Sequence, residues 1–142
     1  MVEEESPNGL RLNNPAGHLD CGESLATACT RETLEETAYH FEPTALIGIY
    51  LSRQLDHQGR DTTYQRFAFA GELGIFDPER TLDTGIVRTL WMSADEIRAS
   101  AARHRSPLVL QCMEDFLSGR RYPMDLIRTD TNVFSRPSEL SI

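Results

Sequence analysis

The chain has 142 residues and a mass of 16.1 kDa, room for one domain with a core of its own. Charged residues make up 25% and hydrophobic residues 39%, and no apolar run approaches the roughly 18 residues of a membrane span, which excludes a helical membrane protein. A formal charge of −8, from 22 acidic and 14 basic residues, has the wrong sign for holding a nucleic acid polymer through its phosphates. Every basic residue is an arginine, so chemistries that need a lysine, among them the Walker A phosphate loop and Schiff-base catalysis, are excluded. Cys21, Cys29 and Cys112 have no CxxC spacing and the start MVEEESPNG is not a secretory signal, so a reduced, cytoplasmic setting is expected, with the thiols as small hydrophobes rather than metal ligands.

Residues 1–142 read as a single α/β domain without repeats or linkers. The first ten residues are acidic and turn-rich, and a short apolar stretch runs from Leu10 to Leu12. Between Ser24 and Thr37, Leu25, Ala28, Cys29 and Leu34 recur at helical spacing, which predicts an amphipathic helix. ALIGIYL from Ala45, the turn sequence DHQGRD from Asp56, and TTYQRFAFAGEL from Thr62 predict a hairpin. IVRTLWM from Ile86 reads as a strand, and Ser93 with Glu96 three residues on forms a capping box. A last helix is expected from near Ser106 to Gly119, with Leu108, Val109, Cys112, Met113 and Phe116 on one face, and residues 128–142 as a loose tail.

The chemistry is concentrated in PAGHLDCGESLATACTRETLEETAYHF, from Pro15 to Phe41. Glu32, Glu35 and Glu36 stand at i, i+3 and i+4, so three carboxylates crowd one side of a helix, and only Arg31 is near enough in sequence to offset them. An oxygen-only set of high charge density suits a hard divalent cation, Mg²⁺ or Mn²⁺. A bare RExxEE string would more simply be a solvated acidic face. Here it is preceded by Gly17 and Glu23 at spacings that complete GX5EX7REUXEEXGU at six of its seven fixed letters. At roughly 7% per letter, a chance match in such a chain is on the order of 10⁻⁴.

On these residues the chain resembles the Nudix hydrolases, an α/β/α sandwich family with a mixed sheet that cleaves phosphoanhydrides with Mg²⁺. NNPAGHLD before the helix, LDTGIVRTLWMSADEI from Leu82 and RSPLVLQCMEDFLSGRRYPMDLI from Arg105 are similar to the NudJ-type phosphatase branch, whose substrates are nucleoside di- and triphosphates and thiamine-related pyrophosphates. The resemblance implies that Glu32 and Glu36 ligate the metal, that Glu35 ligates it or orders a water on it, and that the Gly17 carbonyl joins them. It also implies an ion pair between Glu23 and Arg31 that orients the helix, so Glu23, Arg31 and Glu35 form the catalytic set. The box departs from the pattern at Thr33, whose hydroxyl is expected to bond back to the preceding turn, and at Ala38, where glycine would leave the helix more cheaply.

Arg66, among apolar strand residues, is a candidate phosphate contact, as is His18 beside Gly17. His57 and His104 carry solvent or structural roles, and Trp91 is expected in the core. The resembled family has a β-hairpin of about twenty residues before the segment that here reads VEEESPNGLRL. The chain is therefore expected to begin where that hairpin's second strand ends, leaving the strand 62–73 or 86–92 without a neighbour. A monomer is expected for the family, with edge pairing open to a chain so shortened. Two functions of different class follow: a Mg²⁺-dependent pyrophosphohydrolase acting on a small phosphorylated molecule, or an impaired module of the same fold that binds nucleotides or a partner chain.

Overall fold

The computed structural model describes residues 1–56 and 58–139; His57 and the last three residues of the expected tail lie outside the described residues. The strands are β1 (Val2–Glu4), β2 (Arg11–Asn13), β3 (Tyr39–Leu55), β4 (Asp61–Phe76) and β5 (Ile86–Thr89). The helices are α1 (Leu25–Thr37), α2 (Ala94–Ala99) and α3 (Leu108–Leu117). The α/β layering expected from the sequence is present, with the ladders divided between two antiparallel sheets, β2-β1-β5 and β3-β4. Parallel pairing among the described residues is the bridge between Leu12 and His104. Helices α1 and α3 both pack on β3, and the fully buried side chains of Val2, Leu12, Leu46 and Val109 come from β1, β2, β3 and α3.

Strand β1 is built from acidic residues that sequence alone reads as solvated. Its register places Glu3 opposite Arg88 of β5. The Glu3 carboxylate, 3% exposed, accepts from Arg88 Nε at 2.8 Å and from Arg103, which follows α2. A carboxylate that buried persists only with such partners. Both come from distant sequence, which is why a reading by local composition missed the strand. The ion pairs fasten β1 to β5 and to the 3-10 turn Ala101–Arg103.

The hairpin is longer than expected at both ends. β3 begins at Tyr39, directly after the helix, and runs through Pro43, where the ladder slips register. At Gly71 an added Cβ would lie 2.0 Å from the Glu42 carbonyl oxygen, so this crossing requires glycine. Among the described strands β4 pairs with β3 alone and β5 with β1 alone.

Helix α1 starts on Ser24, whose hydroxyl accepts from the Thr27 N–H at 3.1 Å, and Thr33 Oγ1 donates back to the Cys29 carbonyl at 2.7 Å as expected. It ends on Ala38 in the left-handed region, φ 61°, with its N–H on the Leu34 carbonyl. The non-glycine residue thus takes the glycine geometry at a cost of about 1 kcal/mol. The Ser93/Glu96 capping box opens α2, and α3 closes before Gly119 at φ 84°. The expected strand from Ile86 to Met92 is shorter, and its Trp91 is 74% exposed rather than in the core. Pairing on β1 ends at Leu90, and Trp91 meets Tyr39 edge-on, ring centroids 5.8 Å apart. The C-terminal segment is pinned by Tyr122, which exchanges two backbone hydrogen bonds with Leu46. Beyond Arg128 it carries two 3-10 turns, Thr131–Phe134 and Pro137–Glu139.

Candidate active site

The site is organised around one guanidinium. Arg31, on the middle of α1, grips Glu23 through two bonds, Nε to Oε2 at 3.0 Å and Nη2 to Oε1 at 2.7 Å. The same side chain donates from Nη1 to Glu32 at 2.8 Å and to Glu35 at 3.0 Å, and from Nη2 to the His18 carbonyl at 3.0 Å. Only a planar fork reaches carboxylates on two sides while holding a backbone carbonyl. The hydrogen bond from Arg31 holds the Glu23 carboxyl below its ordinary range, and Glu23 and its neighbours keep Arg31 charged. Arg31 thereby ties the loop from Pro15 to Gly22 onto the carboxylate face of the helix.

Glycine at position 17 is dictated by that face. A Cβ there would lie 1.8 Å from Glu32 Cδ, so the loop backbone rests directly against the carboxylate. One residue earlier, the Ala16 N–H donates to Glu36 Oε2 at 2.9 Å. Glu36 is 8% exposed, and burial, reinforced by the charges of Glu4, Glu32 and Asp83, pushes its carboxyl up to about 7 against the opposing pull of the Ala16 bond.

Of the expected metal ligands, the structure brings Glu32 and Glu35 together and adds Asp83, which the sequence reading missed. One carboxylate oxygen from each lies within 4.8 Å of the others. Asp83 is carried there by the loop after β4, whose N–H at position 83 donates to the Glu35 carbonyl at 3.0 Å. Nothing local marks it: a single aspartate in a turn, almost fifty residues beyond the box, has no periodicity to betray it. The loop also supplies Arg80, 3.9 Å from Glu35, so Arg31 is not the sole cation offsetting the glutamates. Glu36 stands beside this group, turned to the Ala16 N–H. The oxygen-only, net negative donor set, and a backbone with no room for a side chain at Gly17, fit a hard divalent cation.

The two expected substrate contacts lie toward β4. The His18 ring faces Tyr64 with centroids 6.1 Å apart and planes inclined by 31°. Arg66, two residues along the same face of β4, is half-buried; its Nη2 is 3.5 Å from Asn13 Oδ1, and its Nη1 has no partner among the described residues.

Comparison with known proteins agrees with this geometry. The NUDIX domain model matches residues 1–112. The chain belongs to the Nudix family. It is 39% identical over 128 residues to the protein named phosphatase NudJ in Escherichia coli K12 and in Shigella flexneri, covering 89% of this chain and 80% of each relative. A solved NUDIX hydrolase from Nitrosomonas europaea is 53% identical and superposes with a TM-score of 0.83, covering 91% of this chain and 86% of that one. The chain is accordingly an enzyme of the Nudix hydrolase family, with the fold of that family. The acidic group on α1 and the loop after β4 is where a divalent metal, as the family generally uses, would be held.

Proposed function

We propose that this Nudix enzyme hydrolyses a phosphoanhydride of a nucleoside di- or triphosphate, or of a thiamine-related pyrophosphate, with Mg²⁺ as its working ion and Mn²⁺ as a substitute. The observation that carries the reading is the convergence of Glu32, Glu35 and Asp83 oxygens beside a glycine that has no room for a side chain. Glu32, Glu35 and Glu36, with the Gly17 carbonyl, are the ion's protein ligands in this reading, and Asp83 completes the negative rim. Bound there, a divalent ion supplies neutralisation of phosphate oxygens and makes water a better nucleophile.

The chain's own residues do the rest. Arg31 fixes Glu32 and Glu35 at the geometry its fork imposes, and Glu23 holds Arg31 from behind. Glu36 is steadied beside the other carboxylates by the Ala16 N–H, which donates to its Oε2 at 2.9 Å. Arg66 and His18 are the candidate phosphate contacts of this reading; Arg66 Nη1 is buried and has no hydrogen-bond partner among the described residues. The cytoplasm suits three free thiols, and a monomer suits a site built within one chain.

The test is hydrolysis of a panel of nucleoside diphosphates, nucleoside triphosphates and thiamine diphosphate, with EDTA and after Mg²⁺ is restored. Phosphate or phosphomonoester release that EDTA abolishes and Mg²⁺ restores is the expected result. Binding of these compounds without any turnover under Mg²⁺ or Mn²⁺ would instead establish the impaired binding module.

A further inference from the structure

We propose that Arg80 is an exchangeable counter-ion of the carboxylate group, one that balances Glu35 while no divalent ion is bound and gives way when one enters, so that its charge sets how much metal the enzyme needs. This rests on the reading of Glu32, Glu35 and Asp83 as the place where the ion is held. Two guanidiniums approach Glu35, and they are held in opposite ways. Arg31 reaches Glu35 Oε2 at 3.0 Å and is locked by further bonds to Glu23, Glu32 and the His18 carbonyl. Arg80 comes only to 3.9 Å from the other oxygen, Oε1, beyond hydrogen-bond distance. Its Nε is buried and has no acceptor among the described residues. A buried N–H without an acceptor costs stability, so charge, not hydrogen bonding, accounts for where this side chain lies.

The loop that carries Arg80 lets it leave. Main-chain bonds fasten this loop to the end of α1, from the Asp77 N–H to the Ala38 carbonyl at 2.8 Å and from the Asp83 N–H to the Glu35 carbonyl at 3.0 Å, and none of them involves the Arg80 side chain. That side chain is 33% exposed, so water is at hand when the guanidinium turns away. The same loop presents Asp83, whose oxygen lies within 4.8 Å of oxygens from Glu32 and Glu35. One short segment thus brings a carboxylate that attracts a cation and a cation that competes for the same carboxylates. Arg31 is shared with Glu23, which leaves Arg80 as the cation whose place a divalent ion can take. Once such an ion is bound, the attraction on Arg80 becomes repulsion. Over about 6 Å in bulk water, a unit charge against a divalent one is worth about a tenfold change in affinity.

Titration of the metal-free protein with Mn²⁺, followed through the EPR signal of the free ion, reads the exchange without turnover. Arg80→Gln should bind its tightest Mn²⁺ about tenfold more tightly than wild type, and Arg80→Lys, which keeps the charge, should stay within about twofold of wild type. The gap between Arg80→Gln and wild type should narrow as KCl is raised from about 0.05 M to about 0.5 M, a response that a merely structural arginine would not give. The Mg²⁺ concentration for half-maximal hydrolysis should fall in the same proportion in Arg80→Gln. Mn²⁺ binding that is unchanged or weaker in Arg80→Gln would overturn the proposal, as would Arg80→Lys binding as tightly as Arg80→Gln. Glu35→Gln separates this failure from that of the metal site. Mn²⁺ binding weakened in Glu35→Gln but unchanged in Arg80→Gln removes the role of Arg80 and leaves the site in place, whereas binding unchanged in both overturns the two readings together.

Discussion

Gly17→Ala adds one methyl group and removes no charge, yet it should disable the enzyme. The new Cβ would sit 1.8 Å from Glu32 Cδ and 2.0 Å from each Glu32 oxygen, whereas ordinary contact begins at 3.4 Å, so the carboxylate must retreat by about 1.6 Å. The obstructing atoms are the far end of a flexible side chain and Gly17 has no left-handed backbone geometry, so the fold accommodates the change. What is lost is the 2.8 Å bond from Arg31 to Glu32, about 1 kcal/mol, a decrease in melting temperature of roughly 3 °C. Displacing a positioned group by more than 1 Å can cost about 100-fold in rate, and that loss is expected in kcat/KM at saturating Mg²⁺. Steady-state kinetics beside a thermal melt followed by circular dichroism measure the two effects separately. Wild-type kinetics in Gly17→Ala would refute the placement of Glu32 in the working site, and global unfolding would refute the claim that the clash stops at one side chain.

Glu36→Gln keeps an acceptor for the Ala16 N–H but removes a buried carboxyl that is pushed up to about 7 and whose ionisation costs stability as pH rises, so without metal at pH 8 its melt should lie above wild type while turnover falls by roughly 100-fold or more. In Arg31→Lys an ammonium cannot span Glu23, Glu32 and Glu35 together, and a loss of about 1 to 3 kcal/mol should appear in kcat or in stability; wild-type melting and kinetics together would count against it. Asp83→Asn should weaken Mg²⁺ binding, seen as at least a roughly tenfold higher Mg²⁺ concentration for half-maximal activity, because it removes one of three converging charges. Glu3 is held below its ordinary 4.5 first by Arg88, so its stabilisation is complete above that pH and is lost as pH falls through its lowered folded-state value. Glu3→Gln should therefore be less stable than wild type at pH 7 by about 1 to 3 kcal/mol, with the difference shrinking as wild type is acidified.

The site was legible where its signal was local. Arg31, Glu32, Glu35 and Glu36 share one helix, so the crowding of the carboxylates beside Arg31 was readable from their spacing, whereas the pairing of Arg31 with Glu23, which precedes the helix, was implied by the family resemblance. Asp83 and Arg80 were not, because the loop after β4 reaches α1 only through tertiary packing. The same division holds for the fold. The caps at Ser24 and Ser93 and the hairpin followed from short-range chemistry. β1 escaped because two arginines some ninety residues away make a buried glutamate tolerable. Trp91 was placed in the core on residue type alone, whereas burial depends on which strand lies alongside, and pairing stops one residue earlier, at Leu90.

The measurement that bears most directly on the central claim is ³¹P NMR of the reaction in ¹⁸O-water, with ADP, ATP and thiamine diphosphate in turn. Products that appear only with the divalent ion present, with one ¹⁸O in one of the two phosphate fragments and a resolvable isotope shift, are the predicted result: water attacks phosphorus at a site held by Glu32, Glu35 and Glu36. Absence of turnover for the whole panel with Mg²⁺ and with Mn²⁺, or turnover that proceeds undiminished in EDTA, would contradict it.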